Sequence, residues 1–252
     1  MGWLRDWKRR RILARHRIDE RLWEGVVREL PFLAGLDEAG MRRLRELALL
    51  FLAEKEFSAA RGLRLTSAMR LSIAAQAVLP VLVLGLDWYA GWKGIVVYPG
   101  DFRVRRREMD DDGVVHEWDD ALAGEAWPGG PVVLSWDTLK NAPDMNVVIH
   151  EFAHKLDMLN GEADGLPPLH ADMDRKAWSA AWSAAYAGFC DAVDRGRQTW
   201  LDPYASENAA EFFAVMSEAF FLDPQEARRR YPEVYEQLTR FYRQDPAARM
   251  PA

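Results

Sequence analysis

Apolar positions along this chain recur mostly at spacings of three and four, and the spacing tightens to two only near the middle. Across residues 18–52 the pattern is helical. Leu22, Val26 and Leu30 form one stripe, Pro31 and the glycine-containing stretch 35–40 interrupt it, and Met41, Leu44, Leu47, Leu50 and Phe51 resume it. Thr66 is placed to cap a further helix through Met69, Ile73 and Ala77, which Pro80 stops. Residues 71–86 are the most apolar run, yet they include Gln76, Pro80 and Gly85 and fall short of the roughly 20 apolar residues a membrane span requires. They read as buried core. In the middle, Ile95-Val96-Val97-Tyr98 is a strand closed by Pro99-Gly100, and Phe102-Arg103-Val104-Arg105 alternates. Asp110 to Gly113 signals a turn, and Val114 to Trp118 reads as the returning strand of a hairpin. Pro131 to Trp136 supplies another strand. Helical spacing then returns, so the fold class is α+β: mostly helices around a small mixed or antiparallel sheet.

The helix that organises the rest runs through Val147-Val148-Ile149-His150-Glu151-Phe152-Ala153-His154-Lys155-Leu156-Asp157. Asp144 is its expected cap and Asn160-Gly161 its stop. Val148, Phe152, Leu156 and Leu159 form an apolar face. On the other face His150 and His154 stand one turn apart, where two imidazoles can hold one metal ion, with Glu151 beside the open position as a base for water. Three fixed letters in five are only moderately specific, and the plain alternative is a polar helix face satisfied by neighbouring groups. The apolar surroundings weigh against that alternative, because unpaired polar groups are costly to bury. Lys155 is an awkward charge in this setting and should point away from the metal.

Composition bounds what such a helix belongs to. The chain has 252 residues, 49% hydrophobic with 11 Trp, enough for a substantial core, as one large domain over 1–252 or a main domain with a small appendage. Its net charge of −6 gives no general drive toward nucleic acid or an anionic membrane. A single cysteine, Cys190, excludes a disulfide framework and cysteine-rich zinc sites, and fits a reducing, cytoplasmic setting. Seven basic residues between Arg5 and Arg17 face one acid, Asp6, in a segment without the apolar run of a signal peptide. This arm, residues 1–20, either touches an acidic partner or a membrane surface or, more economically, is a solvated amphipathic helix. The Pro- and Ala-rich tail, 245–252, is expected to be mobile. The acids between Glu108 and Asp120 lack the ligand order of an EF-hand loop, and His116 reads as a solvent-facing strand residue.

A hydrolytic zinc site needs a third protein ligand. The metzincin completion fails, because it requires Gly at 157 and His at 160 and the chain has Asp157 and Asn160. Asp157 is too local to close the site and suits accepting from a ligand imidazole N–H, or plain helix-end hydrogen bonding. His170, after Pro167-Pro168, is a weak ligand candidate. The better place is Tyr204 to Glu218, where Ser206 can cap a helix carrying Glu207, Glu211 and Glu218 on one face. Glu211 is best placed to reach a metal on a second helix. Glu207 has the helix dipole as its plain role, and Glu218 supports a ligand or is simply exposed. The 131–136 strand is either the sheet edge to which an extended substrate adds or an internal strand.

His150-Glu151-Phe152-Ala153-His154-Lys155-Leu156-Asp157 followed by Asn208-Ala209-Ala210-Glu211-Phe212-Phe213-Ala214 resembles the Mlc titration factor A family of bacterial zinc peptidases, with a gluzincin-type site. Gly62 to Thr66, Ile73 to Pro80 and Val132 to Trp136 are also similar to that family. The resemblance implies a zincin-like fold and one zinc ion on His150, His154 and Glu211. It implies that Glu151 is catalytic and that Tyr204 stands near the reacting carbonyl. It further implies aminopeptidase-like activity on short peptides and, in enteric members, binding of the glucose repressor Mlc, which controls sugar phosphotransferase uptake. The alternative is a regulatory binding protein that sequesters a transcription factor, its zinc structural or vestigial. A chance motif in a metal-free scaffold is the third reading.

Overall fold

The computed structural model describes residues 2–109, 115–142 and 145–249, the backbone alone over 103–122. The chain opens with three helices, α1 (Gly2–Arg15), α2 (Glu20–Arg28) and α3 (Glu38–Glu54), then strand β1 (Glu56–Ala59) and helix α4 (Ser67–Val78). Asp19, Asp37 and Thr66 cap α2, α3 and α4, each accepting a backbone N–H from the first turn. Four strands follow: β2 (Gly94–Tyr98), β3 (Phe102–Met109), β4 (Val115–Leu122) and β5 (Gly124–Ala126). Then come β6 (Val132–Ser135), α5 (Trp136–Asn141), α6 (Val147–Asp157) and α7 (Arg175–Asp194). Helices α8 (Ala209–Leu222), α9 (Pro224–Arg230), α10 (Pro232–Tyr242) and α11 (Pro246–Arg249) complete the chain.

The main sheet has the order β1-β2-β6-β5. β1, β2 and β6 run parallel, and β5 is antiparallel to β6, so the sheet is mixed. β3 and β4 pair antiparallel as a separate ribbon, as the alternating pattern predicts. The expected turn at 110–113 lies outside the described residues, as does Asp144, and the side chain of His116 is among those not described. β6 is internal, flanked by β2 and β5, so it is not the free edge. The edge on its side of the sheet is β5, a three-residue strand whose Gly-Glu-Ala sequence carries no hydrophobic alternation. β1 escapes the pattern for the same reason: it is a largely exposed edge strand of Glu, Phe, Ser and Ala.

α6 lies against the sheet and is buried along its whole length. Phe152 points into an aromatic nest of Phe51, Tyr89 and Trp92, with ring centroids 5.1–5.6 Å away. Leu159, expected on the same face, is instead substantially exposed in the turn that follows the helix. The 71–86 run is core apart from the exposed Val83; Ile73, Ala74, Ala75, Ala77, Val78 and Val81 are fully buried. The C-terminal segment is docked rather than loose as far as Arg249. Gln244 donates to the Leu79 carbonyl, Ala247 N donates to the Tyr235 hydroxyl, and Gln225 donates to the Ala247 carbonyl. Residues 250–252 lie outside the described residues.

Candidate metal centre

The cap of α6 is Asn146, whose side chain accepts from Ile149 N at 3.0 Å. One turn later His150 and His154 face the same way, their Nε2 atoms 3.2 Å apart. Glu211 comes from α8. That helix is capped by Asn208, accepting from Glu211 N at 3.0 Å, and not by Ser206, which ends a preceding 3-10 turn. Glu211 therefore sits in the first helical turn, where side chains lean back past the helix start. Its Oε2 lies 2.9 Å from His150 Nε2 and 3.3 Å from His154 Nε2. Ligands bonded tetrahedrally at zinc distances stand about 3.3 Å from one another. The three observed separations are close to that, so one ion fits among these atoms without rearranging the helices. Among the described residues, His150, His154 and Glu211 form the group of donors close enough to hold a metal.

Glu218, two turns further along α8, completes the frame. Its Oε1 is 2.7 Å from His150 Nδ1, and its Oε2 accepts from Asn146 N at 2.5 Å. One buried carboxylate thus fixes the ring of the first histidine and the start of the helix that carries it. Asn146 is held from behind by its Nδ2 donating to Gln76 Oε1 at 2.8 Å. With Nδ1 turned to Glu218, the Nε2 of His150 is the nitrogen presented to the site. Burial by itself lowers the basicity of His150, but Glu211 and Glu218 outweigh it and raise its pKa well above the ordinary value. Glu211 is correspondingly held far below the usual carboxylate range: burial opposes ionisation, but both histidines contact the carboxylate and overcome it.

Glu151 is buried beside the cluster. Burial, reinforced by Glu211 and Glu218 and opposed by His150, pushes its pKa up to about 8, and its Oε2 has no hydrogen-bond partner among the described residues. The edge strand presses on it closely. A Cβ on Gly124 would lie 2.4 Å from Glu151 Oε1 and 2.7 Å from Val147 Cγ2, so only glycine lets β5 approach this near. Lys155 points away, as expected, and donates to the carbonyls of Trp127 and Gly130 at 2.7 and 2.9 Å. Those residues form the turn between β5 and β6, so the motif helix itself holds the edge strand in place.

The remaining candidates divide. Tyr204 is half-buried with its ring 6.2 Å from that of His150, and burial plus nearby Glu211 raise its pKa, so its hydroxyl stays protonated. Glu207 lies exposed before α8 and does not share its face. Asp157 is fully buried, but no imidazole N–H reaches it among the described residues; its Oδ2 accepts from Gly165 N at 2.8 Å. Gly165 has a positive φ of 79°, and a Cβ there would stand 2.6 Å from the Ala209 carbonyl. Asp157 thus pins the loop after α6 against the start of α8. His170 is far from this role, with Nε2 2.8 Å from the Phe241 carbonyl and the ring packed on Trp88 and Phe241.

A cleft of about 630 Å³ opens beside Glu151, walled by Gly124, Val147, Trp200, Tyr204, Val215 and Leu222. A family model described as glucose-regulated metallo-peptidase M90 matches residues 4–243. The chain belongs to this family of metallopeptidases. It is 40% identical over 227 residues to proteins called Mlc titration factor A from Yersinia pestis (strain Pestoides F) and Yersinia pseudotuberculosis serotype O:1b (strain IP 31758). The match covers 88% of this chain and 84% of each relative. Among the described residues no helix is long and apolar enough to cross a membrane. Sequence reasoning missed Gly124, Asn146 and the clamp made by Lys155. The lone Gly124 among the larger side chains of Leu122, Ala123, Glu125 and Trp127 was the one readable signal of a close approach.

Proposed function

We propose that this protein is a zinc-dependent, aminopeptidase-like peptidase of the cytoplasm, built as one zincin-like domain with a gluzincin-type site. The observation that carries the reading is the triangle of His150, His154 and Glu211 atoms at tetrahedral spacing, with an unpaired Glu151 oxygen beside it. Zinc held by those three residues would act as a Lewis acid on the attacking water and the scissile carbonyl. An extended peptide adds to the free edge of β5, which places its carbonyl beside Glu151. Glu151 takes the proton of the attacking water and delivers it to the leaving amine. Tyr204, protonated and on the cleft wall, donates to the carbonyl oxygen as it gains charge. Glu218 keeps His150 in the orientation that presents Nε2.

The relatives' printed name supports one further part of the proposal, that a glucose-responsive repressor of the Mlc type is a partner. Metal analysis together with hydrolysis of a panel of aminoacyl chromogenic substrates, with and without chelator, tests the enzyme reading. Glu151→Gln should retain zinc and lose hydrolysis. Full activity in zinc-loaded Glu151→Gln would sink the mechanism, and absence of both zinc and activity in the native chain would return the question to a binding protein.

A further inference from the structure

The basic arm is an ordered helix, α1, and it is fixed to the body along one side only. Arg9 pairs with Glu54 at 2.7 Å and with Asp87 at 2.7 Å, Arg5 pairs with Asp87 at 2.6 Å, and Ile12 and Leu13 pack on the core. These residues lie within one arc of the helix at 100° per residue. The opposite arc carries Trp3, Leu4 and Trp7, which are 69%, 54% and 51% exposed. Large apolar side chains this open are few: only Val83, Trp127 and Leu159 are comparably exposed among the described residues. Arg11 lies on the same arc with its guanidinium 5.3 Å from the Trp7 ring, and Lys8, Arg10 and Arg15 flank the stripe on its two sides. None of these four cations has an acidic partner among the described residues.

We propose that α1 is an interfacial anchor that docks this protein on an anionic phospholipid surface. Tryptophan favours the boundary between headgroups and acyl chains, and cations on both flanks of an apolar stripe meet a plane of negative charge together. A compact acidic protein patch would engage one flank at a time. The distribution of charge points the same way. Seven bases less Asp6 give the first 17 residues a charge of +6, which leaves −12 for the rest of a chain whose net is −6. An anionic surface therefore attracts the arm and repels the body, which turns α1 toward the lipid. The helix is about 21 Å long and is already formed, so docking requires no folding step.

Flotation of the full chain with vesicles of phosphatidylcholine alone, or mixed with phosphatidylglycerol, tests the anchor. The chain should float with the mixed vesicles only, and the bound fraction should fall as salt rises. Trp3→Ala/Trp7→Ala and Arg10→Glu/Arg11→Glu should each weaken binding at least about tenfold. All four positions are exposed, so circular dichroism and thermal unfolding should match the parent. Binding that is equal on both vesicle types, or unchanged in either double variant, would overturn the proposal. A concentration-dependent dimer in sedimentation that is lost in Trp3→Ala/Trp7→Ala, with no vesicle binding, would overturn it in favour of a second copy of this chain.

Discussion

Zinc uptake by the metal-free protein should release close to two protons at pH 7. His150 has a carboxylate oxygen at each nitrogen, Glu218 Oε1 at 2.7 Å and Glu211 Oε2 at 2.9 Å. Two such contacts require a proton on each side of the ring, so the metal-free cluster holds one more proton than a neutral imidazole does, whichever group carries it. A metal bonded to Nε2 must displace that proton. The second comes from Glu151, whose pKa of about 8 leaves it about nine-tenths protonated at pH 7. A dication beside it favours the carboxylate and drives that proton off. Titration calorimetry in two buffers of different ionisation enthalpy measures the count directly. Near pH 9 the total should fall toward one, because Glu151 is then about nine-tenths ionised beforehand. Glu151→Gln should remove about one proton from the pH 7 value. Stoichiometric zinc binding with no proton release at pH 7 would refute the arrangement, since it would mean that the three ligand atoms already stand bare.

Other substitutions probe the frame. Glu218→Gln should weaken zinc binding about 10- to 100-fold, measured by competition with a chromogenic chelator, because His150 loses its anionic partner. Gly124→Val should leave zinc in place but lower kcat/KM by about 100-fold, as the new side chain displaces Glu151 or the edge strand. Unchanged kinetics there would remove β5 from the site. Removing zinc with a chelator should lower the unfolding temperature; the lost linkage is about 2.7 kcal/mol when free zinc stands at a hundred times its Kd.

Much of the fold was open to reading where one face of an element is dry and the other wet. α2 and α3 have that asymmetry, α4 only in its first turn, and their Asp and Thr caps stand in the sequence immediately before them. α6 was found by its chemistry, since all eleven of its residues are buried and no wet face remains. β1 and β5 were hidden because short edge strands owe their structure to a neighbour's backbone rather than to their own side chains. β6 could not be assigned to edge or interior from its own letters, because that choice depends on β5. The caps of α6 and α8 each stand two residues beyond the expected Asp144 and Ser206, at Asn146 and Asn208; more than one capping residue type occurs in each stretch, and tertiary contacts choose among them.

Lys155 shows why the candidate ligands were easier to find than the device that surrounds them. Two histidines and a glutamate have chemistry that constrains spacing, so the letters alone restrict the possibilities. A lysine has no such code, and its role follows only from the two carbonyls it meets in the Trp127–Gly130 turn. Its ammonium also lies 4.6 Å from the Trp92 ring, beside the nest that packs Phe152. Lys155→Met keeps most of the buried stem but leaves the Gly130 carbonyl without its donor, at about 1–3 kcal/mol, while the Trp127 carbonyl keeps only the N–H of Gly130. The loss should appear as lower thermal stability together with a raised KM, because the turn that positions β5 is released while the three candidate metal ligands are untouched. Zinc affinity should therefore stay near that of the parent. A variant that lost zinc and kept its KM would mean that Lys155 supports the ligand helix rather than the strand beside it.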